Sequence, residues 1–297
     1  MIYKAVVPVA GLGTRMLPLT RSIPKEMLPL GRKPVIHHVV DELAAAGINR
    51  ILFVTADHKQ AIENYFQNGK QQDNPHRAGQ ENDPAAEDVP PALDYTFERQ
   101  NNPAGNGDAV LRSKAFAESD PFVVAWGDAT IQSREEGHVI RKMMDTHLER
   151  GANCTIAVEY VQPEMVSRYG IVQPVYESKI AFPIEGIVEK PSAEDAPSRF
   201  AVSARYICDP SIFSALETTP RRNGELWLTD AIHHLIMEGK SVWCVPVGTS
   251  SHRYDIGTPP TYWEAFVHYA MKDKAEGNLF RESLHELLQS RNKMESN

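Results

Sequence analysis

Short runs of consecutive apolar residues recur along the chain, separated by longer stretches in which apolar positions fall three and four apart. The first pattern predicts strands buried on both faces, and the second predicts amphipathic helices. Strands are predicted at Tyr3–Val9, Ile51–Thr55, Tyr95–Glu98, Phe122–Trp126, Cys154–Glu159, Gly186–Glu189, Ala201–Ile207 and Val242–Val247. A helix over Pro34–Ala46 puts Val35, Val39, Leu43 and Ala46 on one face, and Gly47 stops it. Lys59–Gln67 groups Ile62, Tyr65 and Phe66 in the same way. Thr229 is read as the cap of a helix that presents Ile232, Leu235 and Ile236 and ends at Gly239. Strand and helix alternate, which predicts an α/β fold: a Rossmann-like, mostly parallel mixed sheet with helices on both faces. Ligands in such sheets bind beyond the carboxyl ends of the strands. Gly11 and Asp128 each follow a predicted strand and fall at that edge.

The last stretch, Pro259–Asn297, reads as helices. Tyr262, Trp263, Phe266, Tyr269 and Ala270 form one apolar stripe, and Leu284, Leu287 and Leu288 a second. Such stripes are core packing or a subunit contact, and a homo-oligomer is expected. The main domain is placed at 1–270 and a C-terminal helical extension at 271–297. Asn68–Ala92 is rich in Gln, Asn, Asp, Pro and Gly and reads as a solvated surface excursion. With 297 residues, 42% of them hydrophobic, the chain can bury a large core. Its net charge of −8 argues against nucleic acid or an acidic membrane as partner. Cys154, Cys208 and Cys244 form no C-x-x-C pair and suit a reducing cytoplasm. No apolar stretch approaches the roughly 20 residues of a membrane span.

The candidate chemistry begins where the first strand ends, at Gly11-Leu12-Gly13-Thr14-Arg15. Glycines let backbone N–H groups approach phosphate oxygens, and Arg15 and Lys25 add charge where a polyanion would sit. The segment reads as a nucleoside-triphosphate cradle. It is not the dinucleotide fingerprint, whose third glycine is Met16 here, and no Walker loop is present. A bare G-x-G is equally a tight turn. The longer string G-x-G-T-R-x-L-P-x-T-x-x-x-P-K-x-M-L-P resembles the signature of the sugar-1-phosphate nucleotidylyltransferases. Pro24-Lys25-Glu26-Met27-Leu28-Pro29 is most similar to their bacterial uridylyltransferase branch.

That resemblance implies the nucleotide-diphospho-sugar transferase fold and gives roles to further motifs. Asp128 after one strand and Asp255 in Arg253-Tyr254-Asp255 after another would be the Mg²⁺ pair. Each acid alone reads first as a turn or cap residue. Glu189-Lys190-Pro191 matches the family's sugar-binding V-E-K-P, with Glu189 on sugar hydroxyls and Lys190 on the sugar phosphate. Without the family, the pair is an exposed strand end. Tyr169-Gly170-Ile171-Val172 is similar to Y-G-V-V, whose glycine lets backbone meet the hexose, and otherwise a turn before a strand. Arg99-Gln100 with Gly105-Asn106-Gly107-Asp108-Ala109-Val110 resembles R-Q followed by G-L-G-H-A-V. Gln100 would meet the base, with backbone at Ala10, Gly11 and Gly105, but its amide can flip and alone cannot reject cytosine. Glu225 and Thr229-Asp230-Ala231-Ile232 resemble E-x-x-L-T-D-A-I. Glu26, a Gln in thymidylyl-transferring relatives, is expected on the ribose hydroxyls of the nucleotide.

The implied activity is transfer of a uridylyl group from UTP to glucose 1-phosphate, with UDP-glucose and diphosphate as products. Arg15 and Lys25 would hold the leaving diphosphate. No nucleophile triad is needed or found, because the attacking sugar phosphate is already an anion. The His37-His38 and His233-His234 pairs read as surface or packing residues. Three positions depart from the uridylyltransferase pattern. Trp126-Gly127 replaces Leu-Pro, Asp108 replaces His, and Ile256-Gly257-Thr258 replaces Cys-Gly-Asn in favour of the thymidylyl- and guanylyl-transferring form. A thymidylyltransferase is therefore the alternative within the family. A non-catalytic regulatory relative is the alternative outside it, disfavoured because Gly13, Arg15, Lys25, Asp128 and Asp255 are all present.

Overall fold

A computed structural model describes residues 1–68, 89–102 and 104–295. The first apolar run forms β1 (Lys4–Pro8), and a small ribbon of β2 (Pro29–Leu30) and β3 (Lys33–Pro34) leads into α1 (Val35–Ala45). Next come β4 (Arg50–Thr55), α2 (Gln60–Asn68), β5 (Asp94–Arg99), α3 (Asn106–Leu111) and α4 (Lys114–Ala117). The middle of the chain gives β6 (Phe122–Ala125), β7 (Ala129–Gln132), α5 (His138–Arg150), β8 (Cys154–Tyr160), β9 (Gly170–Pro174) and β10 (Phe182–Glu189). It closes with β11 (Phe200–Cys208), α6 (Ser211–Thr218), α7 (Leu228–Met237), β12 (Val242–Pro246), β13 (His252–Asp255), α8 (Pro259–Met271) and α9 (Gly277–Glu295).

Nine strands form one sheet in the order β5-β4-β1-β6-β11-β8-β12-β10-β9. The β5-β4-β1-β6 half is parallel, as expected from its helical crossovers. The other half is largely antiparallel, and only β8 and β12 run parallel there. The reason is the length of the connections. A parallel crossover needs a dozen or more residues, usually a helix, whereas residues 175–181 between β9 and β10 and 190–199 between β10 and β11 contain no helix. The sheet is thus mixed, with less parallel pairing than the alternation suggested.

Alternate residues of the central strands serve two cores. Val6, Val124, Ile156 and Val158 pack with α3, α6 and α7 residues such as Val110, Leu216 and Leu235. Ala5, Val7, Val123 and Ala125 face the other way, onto Val39 and Leu43 of α1, Ile62 of α2 and Met143 of α5. A period of two on buried strands places helices on both faces. A third cluster joins Leu30, Val35, Tyr254, Ile256 and Ala265, and so packs α8 against β13.

All the predicted strands are present. The sequence reading did not separate α5, α6 or the short β7 and β13. Thr229 is not a cap. α7 begins at Leu228, with Trp227 at the capping position, and the Thr229 hydroxyl instead donates to Glu189 Oε2 at 2.7 Å. On the C-terminal stripes, Tyr262 and Tyr269 pack against the third cluster, while Trp263, Leu287 and Leu288 stay exposed. His37 and His38 are packing residues of α1, bonded to the Tyr65 hydroxyl at 2.8 Å and the Leu30 carbonyl at 2.9 Å. The polar excursion at 68–92 lies mostly outside the described residues. Among the described residues, no helix is long and apolar enough to cross a membrane.

Candidate active site

A cleft of about 620 Å³ opens at the carboxyl edge of the parallel strands. Its wall includes Ala10, Gly11, Gly13, Arg15, Lys25, Glu26, Gln100, Gly105, Asp128 and Asp255, together with Gly170, Glu189 and Lys190. The structure therefore gathers these candidate residues at one cleft, while Arg99 and Asp108 lie behind its wall. Behind β1, Gly13 takes a left-handed conformation (φ +67°), and its carbonyl accepts from the Thr20 hydroxyl at 2.9 Å. This fixes the turn that carries Arg15 to the wall.

The backbones of the two acids are joined by a ribbon that periodicity could not reveal. β7 and β13 pair antiparallel with Ala129 opposite Asp255, and Ile256 N–H donates to the Asp128 carbonyl at 3.1 Å. Lys25 Nζ donates to the Asp128 carboxylate. Burial acts to raise the Asp128 pKa, but the adjacent Lys25 charge outweighs it and holds the carboxyl below its ordinary range. Asp255 Oδ1 accepts from Gly257 N–H at 2.8 Å. A Cβ at Gly257 would stand 2.9 Å from both Arg15 Nη2 and Asp255 Oδ1, so the bare backbone there makes room for both groups.

Elsewhere on the wall, β9 and β10 pair Gly170 with Glu189. Glu189 Oε2 accepts from Thr229, and Lys190 Nζ lies 3.2 Å from Glu189 Oε1 and 4.6 Å above the Trp227 ring. Lys190 has a left-handed backbone (φ +47°), a strained setting for a residue with a side chain. A Cβ at Gly170 would stand 3.3 Å from Glu189 Oε2, so the glycine keeps that carboxylate open to the cleft. Arg253, whose guanidinium lies 4.6 Å from the Tyr169 ring, also reaches the wall. Burial alone would lower its pKa, but Glu159 and further neighbours raise it, so it is a permanent cation.

In the same cleft, Gln100 Nε2 donates to the Gly105 carbonyl at 3.1 Å and to Asp108 Oδ2 at 2.8 Å. Glu26 lines the cleft as well. Its carboxylate is 2% exposed and paired with the equally buried Lys59 Nζ at 2.6 Å. A buried carboxylate needs a charged partner, and Lys59 supplies one at Oε2. Burial raises the Glu26 pKa and lowers that of Lys59, with each charge opposing the shift of the other. Lys59 went unnoticed in the sequence. Its position just beyond β4, at the ligand edge of the sheet, was the available signal.

Glycine-turn backbone, cations from separate loops, two carboxylates on paired backbone and an anchored amide thus share one cleft. The chain belongs to the nucleotidyl transferase family, whose profile matches residues 4–272. A UTP–glucose-1-phosphate uridylyltransferase of Streptococcus pneumoniae is 39% identical over 91% of this chain and 91% of its own length. One from Staphylococcus haemolyticus is 36% identical over 92% of this chain and 93% of its own. The solved UDP-glucose pyrophosphorylase of Acinetobacter baumannii superposes with a TM-score of 0.84 at 34% identity, covering 97% of this chain and all of that one. Its UTP-bound form matches with the same TM-score at 33% identity.

Proposed function

We propose that the chain transfers a uridylyl group from UTP to glucose 1-phosphate, giving UDP-glucose and diphosphate. The observation that carries the reading is the convergence of Arg15, Lys25, Gln100, Asp128, Glu189, Lys190 and Asp255 on one cleft. The uridylyltransferases and UDP-glucose pyrophosphorylases it resembles over nearly its whole length supply the substrates. A phosphate oxygen of glucose 1-phosphate attacks the α-phosphorus of UTP. The bond from that phosphorus to the bridging oxygen breaks, and diphosphate leaves with the electron pair. No base is required, so the protein's task is positioning and charge stabilisation. Lys190 holds the sugar phosphate, and Glu189 accepts from sugar hydroxyls beside Gly170. Arg15 and Lys25 hold the leaving diphosphate, while the backbone at Ala10, Gly11 and Gly13 approaches the nucleotide.

The family generally uses a divalent metal, and the donors present suit Mg²⁺. Asp128 and Asp255 offer hard oxygen ligands on paired backbone. Among the described residues no group of three or more His, Cys, Asp or Glu could hold an ion alone. Mg²⁺ is commonly bound by one or two carboxylates with phosphate oxygens and water completing the octahedron. When bound, it supplies positive charge to phosphate oxygens. The exposed Trp263, Leu287 and Leu288 support self-association, and the free Cys154, Cys208 and Cys244 support a cytoplasmic setting.

The test is diphosphate release across a matrix of nucleoside triphosphates and sugar 1-phosphates, with and without Mg²⁺. UTP with glucose 1-phosphate is expected to be the best pair. Asp128→Asn and Asp255→Asn should each lower kcat by about a hundredfold or more. If both stay within about threefold of wild type, the metal assignment is wrong.

A further inference from the structure

The Gln100 amide is held from one side only, and that side decides which atom faces the base. Both of its N–H groups are engaged, one by the Gly105 carbonyl and one by Asp108 Oδ2. Neither partner can donate, because a backbone carbonyl and an ionised carboxylate are acceptors only. A flipped amide would set Oε1 against two oxygens, losing both hydrogen bonds and adding repulsion. In the observed orientation Oε1 accepts no hydrogen bond among the described residues, and the residue lines the cleft.

The two acceptors are themselves fixed. Gly105 has φ +98°, and a Cβ there would lie 2.2 Å from the Leu226 carbonyl oxygen, so the loop is pressed against its neighbour. Asp108 is buried and gripped by two guanidiniums, Arg112 Nε at 3.0 Å and Arg221 Nη2 at 3.1 Å. The same two arginines tie down the connecting loop, through the Arg99 carbonyl at 3.0 Å and the Ala104 carbonyl at 3.2 Å. Burial acts to raise the Asp108 pKa, but its bonds from Gln100, Arg221 and Arg112 hold the carboxyl below its ordinary range. It therefore stays ionised, and stays an acceptor, at neutral pH.

We propose that Asp108 is the positioning residue for nucleobase choice: it locks Gln100 with its carbonyl oxygen towards the cleft, and so selects uracil over cytosine. The proposal rests on the uridylyl reading above. Uracil carries a proton on N3 and gives it to that oxygen. Cytosine carries a lone pair at N3, which would face the oxygen with no proton between them. Asp108 is not part of the cleft wall and acts only through Gln100. A free amide rotates to suit either base, and the acceptor-only carboxylate removes that freedom.

The experiment compares kcat/KM for UTP and CTP, at saturating glucose 1-phosphate, in wild type and in Asp108→Asn. The Asn amide either donates or accepts, so it lets Gln100 turn. The UTP-to-CTP ratio is expected to fall about tenfold or more, with the KM for glucose 1-phosphate within about twofold of wild type. Asp108→Glu, which remains an acceptor only, should keep most of the ratio. Both nucleotides are measured on one preparation, so a reduced folded fraction cancels. Should Asp108→Asn not fold, Asp108→Ser carries the test: its hydroxyl can donate as well as accept, so it too lets Gln100 turn. The ratio should fall in the same direction. A wild type that discriminates, with folded variants that discriminate equally well, overturns the proposal. A wild type that uses CTP as well as UTP overturns the uridylyl reading instead.

Discussion

Replacing Lys59 by Met would leave the Glu26 carboxylate buried without its principal counter-charge. Both side chains are 2% exposed, so solvent screens the pair little. Removing one partner of a buried pair costs about 3–5 kcal/mol, because the remaining charge stays desolvated. Lys25 is close enough to act on Glu26, which places the expected loss near the lower end, about 3 kcal/mol. For a chain of this size that is a fall in Tm of roughly 6–12 °C. The pH dependence has a definite sign. Glu26 already has a raised pKa in the folded state, and loss of Lys59 raises it further. A carboxyl whose folded pKa exceeds its unfolded value costs nothing while both states are protonated. It costs progressively more as pH rises through the folded value. The gap between variant and wild type should therefore narrow as pH falls from about 8 to about 5. Glu26→Met combined with Lys59→Met substitutes an apolar pair and should recover most of the loss. Thermal melts of the three proteins across pH provide the assay. A Lys59→Met loss below about 1 kcal/mol, or a double variant no more stable than the single one, would refute this account of the pair.

Lys190→Ala should raise the KM for glucose 1-phosphate about 10- to 100-fold while leaving that for UTP nearly unchanged. Arg15→Ala should do the reverse and lower kcat, and equal effects of both variants on both substrates in steady-state assays would end that division of labour. Gly127→Ala would put a Cβ 2.4 Å from Val9 Cγ1 and 2.9 Å from Ile36 Cδ1, both buried. The overpacking should cost about 1–3 kcal/mol in thermal melts, and an unchanged Tm would show that this packing yields freely.

Where a residue's place in the cleft follows from its position beside a strand end, the sequence was enough. Gly11, Gly13 and Asp128 followed from apolar runs, and Gly170, Glu189 and Lys190 from a motif whose two segments pair as β9 and β10. What stayed hidden depends on contacts between distant segments. The β7–β13 ribbon is four residues long on each side, too short to show a period. Thr229 was given to its own helix because capping is a local rule, whereas its partner Glu189 comes from another element. The pairing of Glu26 with Lys59 was hidden because no local pattern joins them. The antiparallel half of the sheet was obscured because its loops, not its strands, set direction.

The ribbon also governs when a newly made chain can work. Gly11 to Lys25 and Asp128 belong to the earlier part of the polypeptide, but Asp255 comes on β13, which is seated by α8 through Tyr254, Ile256 and Ala265. A ribosome-bound chain can hold the glycine turn and the first acid while the second is still unmade or unsupported. The backbones of the two acids are joined only after the strand at 252–255 and the helix at 259–271 have emerged and docked. On the proposed function, catalytic competence thus waits for that segment, and chains that stop short of it hold only part of the site.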